Sequence, residues 1–130
     1  MKFMVCFDGS NTAKAAFGLA EKHAKAFDAE LIVVMSMLKG TENEREEIEK
    51  AEKSLAGVKK DCEKNAIPCD THLLIRGLSA GEDLVEFAGD QHVDQIFIGV
   101  KRRSKVEKLV FGSTAQYVIL NAESPVVTVK

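Results

Sequence analysis

Apolar positions along the chain alternate between two periods. Short runs of continuous or period-two apolar character are separated by longer segments in which apolar residues recur every three or four positions. Lys2–Phe7 reads as a strand, stopped by the turn-forming Asp8-Gly9-Ser10-Asn11. Ala13, Ala16, Phe17, Ala20, Ala24 and Phe27 then share one helical face, with Ser10 or Asn11 available as its cap. Leu31–Met35 is apolar throughout, the pattern of an interior parallel strand covered on both faces. From Glu42 to about Ala66, Ile48, Ala51, Leu55, Val58 and Cys62 form one narrow apolar seam on a charged helix. Glu42, Glu44, Glu46, Glu47 and Glu49 crowd its start, where a solvated helix end and its dipole favour acids. Pro68 cannot continue that helix.

The second half repeats the alternation. Thr71–Ile75 reads as a strand closed by Arg76-Gly77, and Ser79-Ala80-Gly81-Glu82 has the form of a capping box. It opens a helix with Leu84, Val85, Phe87 and Ala88 inward. Asp94–Gly99 is the next strand, followed by a polar loop from Val100 to about Lys105 and a short turn carrying Val106, Leu109 and Val110. Gly112-Ser113-Thr114 begins a last helix with Ala115, Val118, Ile119 and Ala122 inward; Ser124-Pro125 breaks it before a strand at Val126–Val129. The order βαβαβαβαβ predicts an α/β fold: a doubly wound, five-stranded, mostly parallel sheet with helices on both faces, Rossmann-like in architecture. With no repeat, linker or low-complexity tract, residues 1–130 are expected to form a single domain.

Composition adds exclusions. A chain of 130 residues can bury about two-thirds of its surface, enough for one core. Hydrophobic residues at 45% and charged residues at 29% are ordinary for a globular protein and exclude disorder as the main state. A net charge of −2 gives no overall attraction to nucleic acid or anionic membrane. No apolar run approaches the ~20 residues of a membrane span. The apolar start meets Asp8 too soon for a signal peptide. Cys6, Cys62 and Cys69 are odd in number, lack CxxC spacing and read as buried thiols. A cytoplasmic location is expected.

In a doubly wound sheet, ligands bind beyond the carboxyl ends of the strands where strand order reverses. Asp8-Gly9-Ser10, Met35-Ser36, Arg76-Gly77 and the segment from Gly99 onward occupy those ends. If the first and fourth strands are neighbours, Asp8 and Gly99 line one crevice. Gly112-Ser113-Thr114 combines hydroxyls with the free amides of a helix N-terminus, which suits an anion. Between Gly99 and Gly112, residues 101–108 carry Lys101, Arg102, Arg103, Lys105 and Lys108 against Glu107, a local charge of +4 in a chain whose total is −2. These parts suggest a nucleotide site, with Asp8 accepting from a ribose hydroxyl. The same residues also have plain structural uses: a solvated basic loop, a helix cap at Ser113 or Asp8, a tight turn at Gly112.

The sequence resembles the single-domain universal stress proteins along its whole length. Val5-Cys6-Phe7-Asp8-Gly9-Ser10, Ala29-Glu30-Leu31, Arg76-Gly77, Asp94–Gly99 and Ala122–Val129 carry the resemblance. The family's nucleotide signature is Gly-x2-Gly-x9-Gly-Ser/Thr; Gly99 and Gly112-Ser113 match its ends, while Arg102 stands where the second glycine is expected. The resemblance implies a dimeric stress-response regulator binding ATP, or ADP or AMP, with Mg2+ as a companion of the triphosphate. It places Asp8 near the ribose, Met35-Ser36 at the adenine, and Gly99, Gly112, Ser113 and Thr114 at the phosphates; Gly9 and Ser10 beside Asp8, and Lys101 and Arg102 of the basic loop, complete the candidate nucleotide-binding residues. Arg102 either obstructs the phosphate approach or binds phosphate through its guanidinium. The resemblance also implies a homodimer through the last strand, Val126–Val129, an apolar β-branched run at a sheet edge.

There is no Walker A, GxGxxG or GxSxG motif, and His23, His72 and His92 show no ligand spacing, so no catalytic or metal-binding residue is assigned. Any ATP hydrolysis is expected to be slow, since no general base is recognisable. An interaction module of the same fold that does not hold nucleotide is the alternative that Arg102 favours. An FMN carrier is disfavoured by a chain with no tryptophan and a single tyrosine, Tyr117. Nucleic-acid binding would rest on the basic loop alone.

Overall fold

The structure is a computed structural model that describes residues 1–101 and 112–130. The elements run β1 (Lys2–Cys6), α1 (Asn11–Phe27), β2 (Glu30–Ser36), α2 (Glu44–Lys64), β3 (Cys69–Leu74), α3 (Ala80–Asp90), β4 (Gln95–Gly99), α4 (Ser113–Asn121) and β5 (Val126–Val129). The strands form one parallel sheet in the order β3-β2-β1-β4-β5. The doubly wound expectation is met, and boundaries differ by a few residues: β3 begins at Cys69 rather than Thr71, and α2 at Glu44 rather than Glu42. The short turn expected at Val106–Val110, and Arg102 with it, lie outside the described residues.

Strand residues alternate between two cores. Phe3, Val5, Leu31, Val33 and Phe97 face α1 and α2, meeting Ala16, Phe17, Ala20, Leu55 and Val58. Met4, Cys6, Ile32, Val34, Ile96 and Ile98 face α3 and α4, meeting Leu84, Phe87, Ala115 and Val118. The period of two sends alternate side chains to opposite faces, which is why Leu31–Val34 is apolar at every position. Phe27 departs from expectation. It ends the apolar face of α1 but is 57% exposed, its ring resting edge-on against Phe3 at 6.1 Å. The helix stops there at Asp28, which takes a left-handed conformation and donates its amide to the Ala24 carbonyl.

Caps fix where the helices start. Ser10 accepts from the Ala13 amide at 3.2 Å and caps α1. Ser79 caps α3: it accepts from the Glu82 amide at 3.4 Å and donates its hydroxyl to the Glu82 carboxylate at 2.7 Å. No helix among the described residues is long and apolar enough to cross a membrane.

Candidate functional site

Strand order places β1 beside β4, with Cys6 opposite Ile98. The helix after β1 packs on one face of the sheet and the helix after β4 on the other, and a crevice opens between the two strand ends. A cavity of about 280 Å³ lies there, just below the usual range for small-molecule sites, about 300–1,000 Å³. Asp8 and Gly99 both line it, as expected if the two strands were neighbours.

Its lining mixes polar and apolar groups. Gly112, Ser113 and Thr114 line it where α4 begins. Gly112 is the N-cap and no side chain caps the helix, and its first turn holds no acid. The first amides of a helix have no intrahelical acceptor, and the dipole is positive there. Leu84, Ile98, Val100 and Ala80 add apolar walls to the same cavity and Ser36 supplies a hydroxyl. Cys6 also lines the cavity; burial, with the nearby Asp8 charge adding to it, pushes its thiol up to about 12, so it is a neutral wall rather than a nucleophile.

The turn after β1 is held locally. The Asp8 carboxylate accepts from the Ser10 amide at 2.9 Å, and Gly9 has φ +80°, a conformation that favours glycine. Ser10 thus caps α1, and Asp8 does not. Asp8 is exposed at the cavity rim with the rest of its acceptor capacity facing outward.

The expected residues divide between two cavities. Asp8, Ser36, Gly99, Lys101, Gly112, Ser113 and Thr114 share the one described. Met35 and Gly9 instead line a wider, more open depression of about 720 Å³ toward α2, together with Lys14, Glu47 and Lys50; Asp8 and Ser36 border both. Ser10 lines neither, its hydroxyl committed to the cap and 3.3 Å from the Thr12 hydroxyl. Gly99 has a packing role as well as a place in the cleft, since a side chain there would strike the backbone of α1.

Asp83 was missed by the sequence reading. It is fully buried on α3 behind Ser36. The Ser36 hydroxyl donates to its Oδ2 at 2.9 Å, Arg76 Nε donates to its Oδ1, and Arg76 Nη2 donates to its backbone carbonyl at 3.1 Å. The guanidinium also lies 5.9 Å over the Phe87 ring. A capping box followed by an acid reads as a solvated first turn. The signal for Asp83 was its place next to inward-facing Leu84, with a basic residue at the end of the preceding strand.

Away from the cleft, Cys62 is buried and Cys69 half-buried, both against the α1–α2 core. A hydrogen bond from the Cys62 thiol holds the Cys69 thiol below its ordinary value, and the same contact, with burial, pushes Cys62 up. Among the described residues no group of three His, Cys, Asp or Glu side chains is placed to hold a metal ion.

The Universal stress protein family pattern matches residues 1–130. A universal stress protein of Methanocaldococcus jannaschii is 34% identical over 140 aligned positions, covering 99% of this chain and 81% of the relative. The structure of a universal stress protein from Archaeoglobus fulgidus superimposes with a TM-score of 0.90 at 33% identity, covering 100% of this chain and 98% of the other. A universal stress protein from that organism in complex with dAMP gives 0.84 at 30% identity, again covering 100% and 98%. With the doubly wound sheet and the crevice between β1 and β4, these matches establish that the chain belongs to the universal stress protein family.

Proposed function

We propose that this protein is a stress-response regulator that binds an adenine nucleotide, ATP or its di- or monophosphate, in the cleft between β1 and β4. One observation carries the reading: the uncapped amide end of α4, at Ser113 and Thr114, faces the same cavity as an apolar pocket large enough for a base. Phosphates would sit at Gly112, Ser113 and Thr114, with Lys101 beside them. Asp8 would accept from the ribose. The +4 segment at 101–108 would add attraction for polyphosphate, with Mg2+ accompanying ATP. The related Archaeoglobus protein was solved in complex with dAMP, which supports an adenine nucleotide as the ligand. Calorimetric titration with ATP, ADP and AMP tests the reading; absence of heat and of thermal stabilisation at millimolar nucleotide removes it.

Arg102 favours a second reading, an interaction module of the same fold that does not hold nucleotide. If Arg102→Gly binds ATP while the parent chain does not, this second reading replaces the first.

The proposal includes a homodimer through β5. That strand ends the sheet, and Val126, Val127 and Val129 are half-buried without a strand beyond them among the described residues. An unpaired β-branched edge is a template for a second copy.

A further inference from the structure

The hydrogen bonds behind the cleft fix the polarity of Ser36. A serine hydroxyl carries one hydrogen and two lone pairs, and a carboxylate has none to give. The Ser36 hydroxyl lies 2.9 Å from Asp83 Oδ2, so its hydrogen goes to Asp83. Asp83 cannot turn away: it is fully buried, and Arg76 holds its other oxygen through Nε and its backbone carbonyl through Nη2. Toward the cavity, Ser36 therefore accepts and does not donate.

Ser36 shares its cavity with the apolar side chains of Leu84, Ile98 and Val100, which suit a base. The α4 amides that line the same cavity draw the phosphates, so Ser36 is left to the base. We propose that Asp83, with Arg76 behind it, is a positioning residue that locks Ser36 as a hydrogen-bond acceptor and so selects a purine bearing an exocyclic amine over one bearing a carbonyl at the same place. The inference rests on the nucleotide reading above and adds the residues that discriminate between bases. An amine donates to the Ser36 oxygen. A carbonyl oxygen in the same position meets a lone pair and loses its own water without replacement.

AMP and IMP are the matched probes, since they differ at that substituent and in the protonation of the adjacent ring nitrogen. Direct titration is expected to give AMP an advantage of about ten- to a hundredfold. Asp83→Asn should reverse the polarity. Arg76 only donates, so the amide oxygen of the new side chain must face Arg76 and its NH2 must face Ser36. The hydroxyl then accepts from the amide and turns its hydrogen toward the cleft, and the AMP:IMP ratio falls below one. Where that variant does not fold, Ser36→Ala serves: the acceptor is gone and the ratio moves to about one. Equal binding of AMP and IMP by the parent protein, or an unchanged ratio in Ser36→Ala, overturns the assignment and leaves the nucleotide site standing. Failure of both nucleotides to bind overturns the site and this assignment together.

Discussion

Gly99 at the end of β4 lies directly against the first turn of α1: a Cβ at Gly99 would stand 2.5 Å from the carbonyl carbon of Thr12 and 2.7 Å from the amide nitrogen of Ala13. Both obstacles are backbone, so no rotamer change relieves the contact. The close approach keeps α1 down on β4 and brings Asp8 and Gly99 to the walls of one cleft.

Gly99→Ala is therefore expected to push α1 away from β4 and to destabilise by about 1–3 kcal/mol, the usual effect of overpacking. Gly57 is the control. It is exposed in the interior of α2, with nothing near the position of an added Cβ. Gly57→Ala should stabilise by about 0.5–1 kcal/mol through helix propensity. Urea denaturation of the two variants checks the opposite signs; a neutral Gly99→Ala would show that the approach is looser than described.

Two ion pairs among the described residues should behave differently. Arg45 and Glu49 lie one turn apart on α2 at 4.0 Å, with side chains 95% and 72% exposed. Arg76 is 36% exposed, but its partner Asp83 is wholly buried. Arg45→Met should change stability by less than about 0.5 kcal/mol. Arg76→Met leaves a buried carboxylate with Ser36 as its remaining side-chain partner, and should cost roughly 2–3 kcal/mol, below the full buried-pair range because Arg76 itself is partly solvated. Thermal or chemical unfolding distinguishes them, and similar effects at both sites would contradict the burial argument.

The thiols should react in a fixed order. The Cys62 thiol stabilises the Cys69 thiolate, while burial raises both Cys6 and Cys62. Iodoacetamide on the native protein at pH 8 should label Cys69 first and leave Cys6 and Cys62 unlabelled until the chain unfolds. Peptide mass mapping reads the order. Cys6 also imposes an alkaline limit. Its folded value of about 12 lies above the ordinary value of 9.0, so the unfolded chain loses that proton first. Its contribution is complete below pH 9 and is lost as pH rises toward 12. Cys6→Ala should flatten that part of the stability profile.

Legibility in the sequence followed the strength of the periodic signal. Of the seam Ile48-Ala51-Leu55-Val58-Cys62 all but Ile48 are buried, and of the run Leu31–Met35 all but Met35; the two exceptions, each at the end of its run, are half-buried. The adjacency of Asp8 and Gly99 was conditional in the sequence: doubly wound sheets occur in more than one strand order, and it is the order found here that sets the first strand beside the fourth. Side-chain chemistry was harder to read. Asp83 looks like any acid in a helix's first turn, because local sequence does not tell which face the sheet will cover. Gly99 fitted a phosphate motif, and its contact with Thr12 depends on a helix 87 residues earlier in the chain. Met35 faces α2 rather than the cleft because successive strand residues alternate, and Ser36 took the cleft side.

The edge of β5 gives the proposed dimer its sharpest test. In a parallel pair, the amide and carbonyl of one residue point to the same neighbour, and alternate residues point to opposite sides. Ile96 of β4 and Val100 just past it donate their amides to the Pro125 and Val129 carbonyls, so the backbone groups of Val126 and Thr128 face outward. Thr128 is exposed, and proline is tolerated on an outward edge because the lost amide was not part of the sheet. Thr128→Pro should leave the monomer folded, with an unchanged far-ultraviolet spectrum, and remove one hydrogen bond per copy from a two-fold strand pairing. Val127→Thr, placed on the β4-facing register, should lower fold stability and leave pairing geometry intact. Sedimentation equilibrium of the parent and both variants decides the matter. A dimer weakened at least tenfold by Thr128→Pro alone supports pairing through β5, whereas a dimer indifferent to that substitution must use another surface.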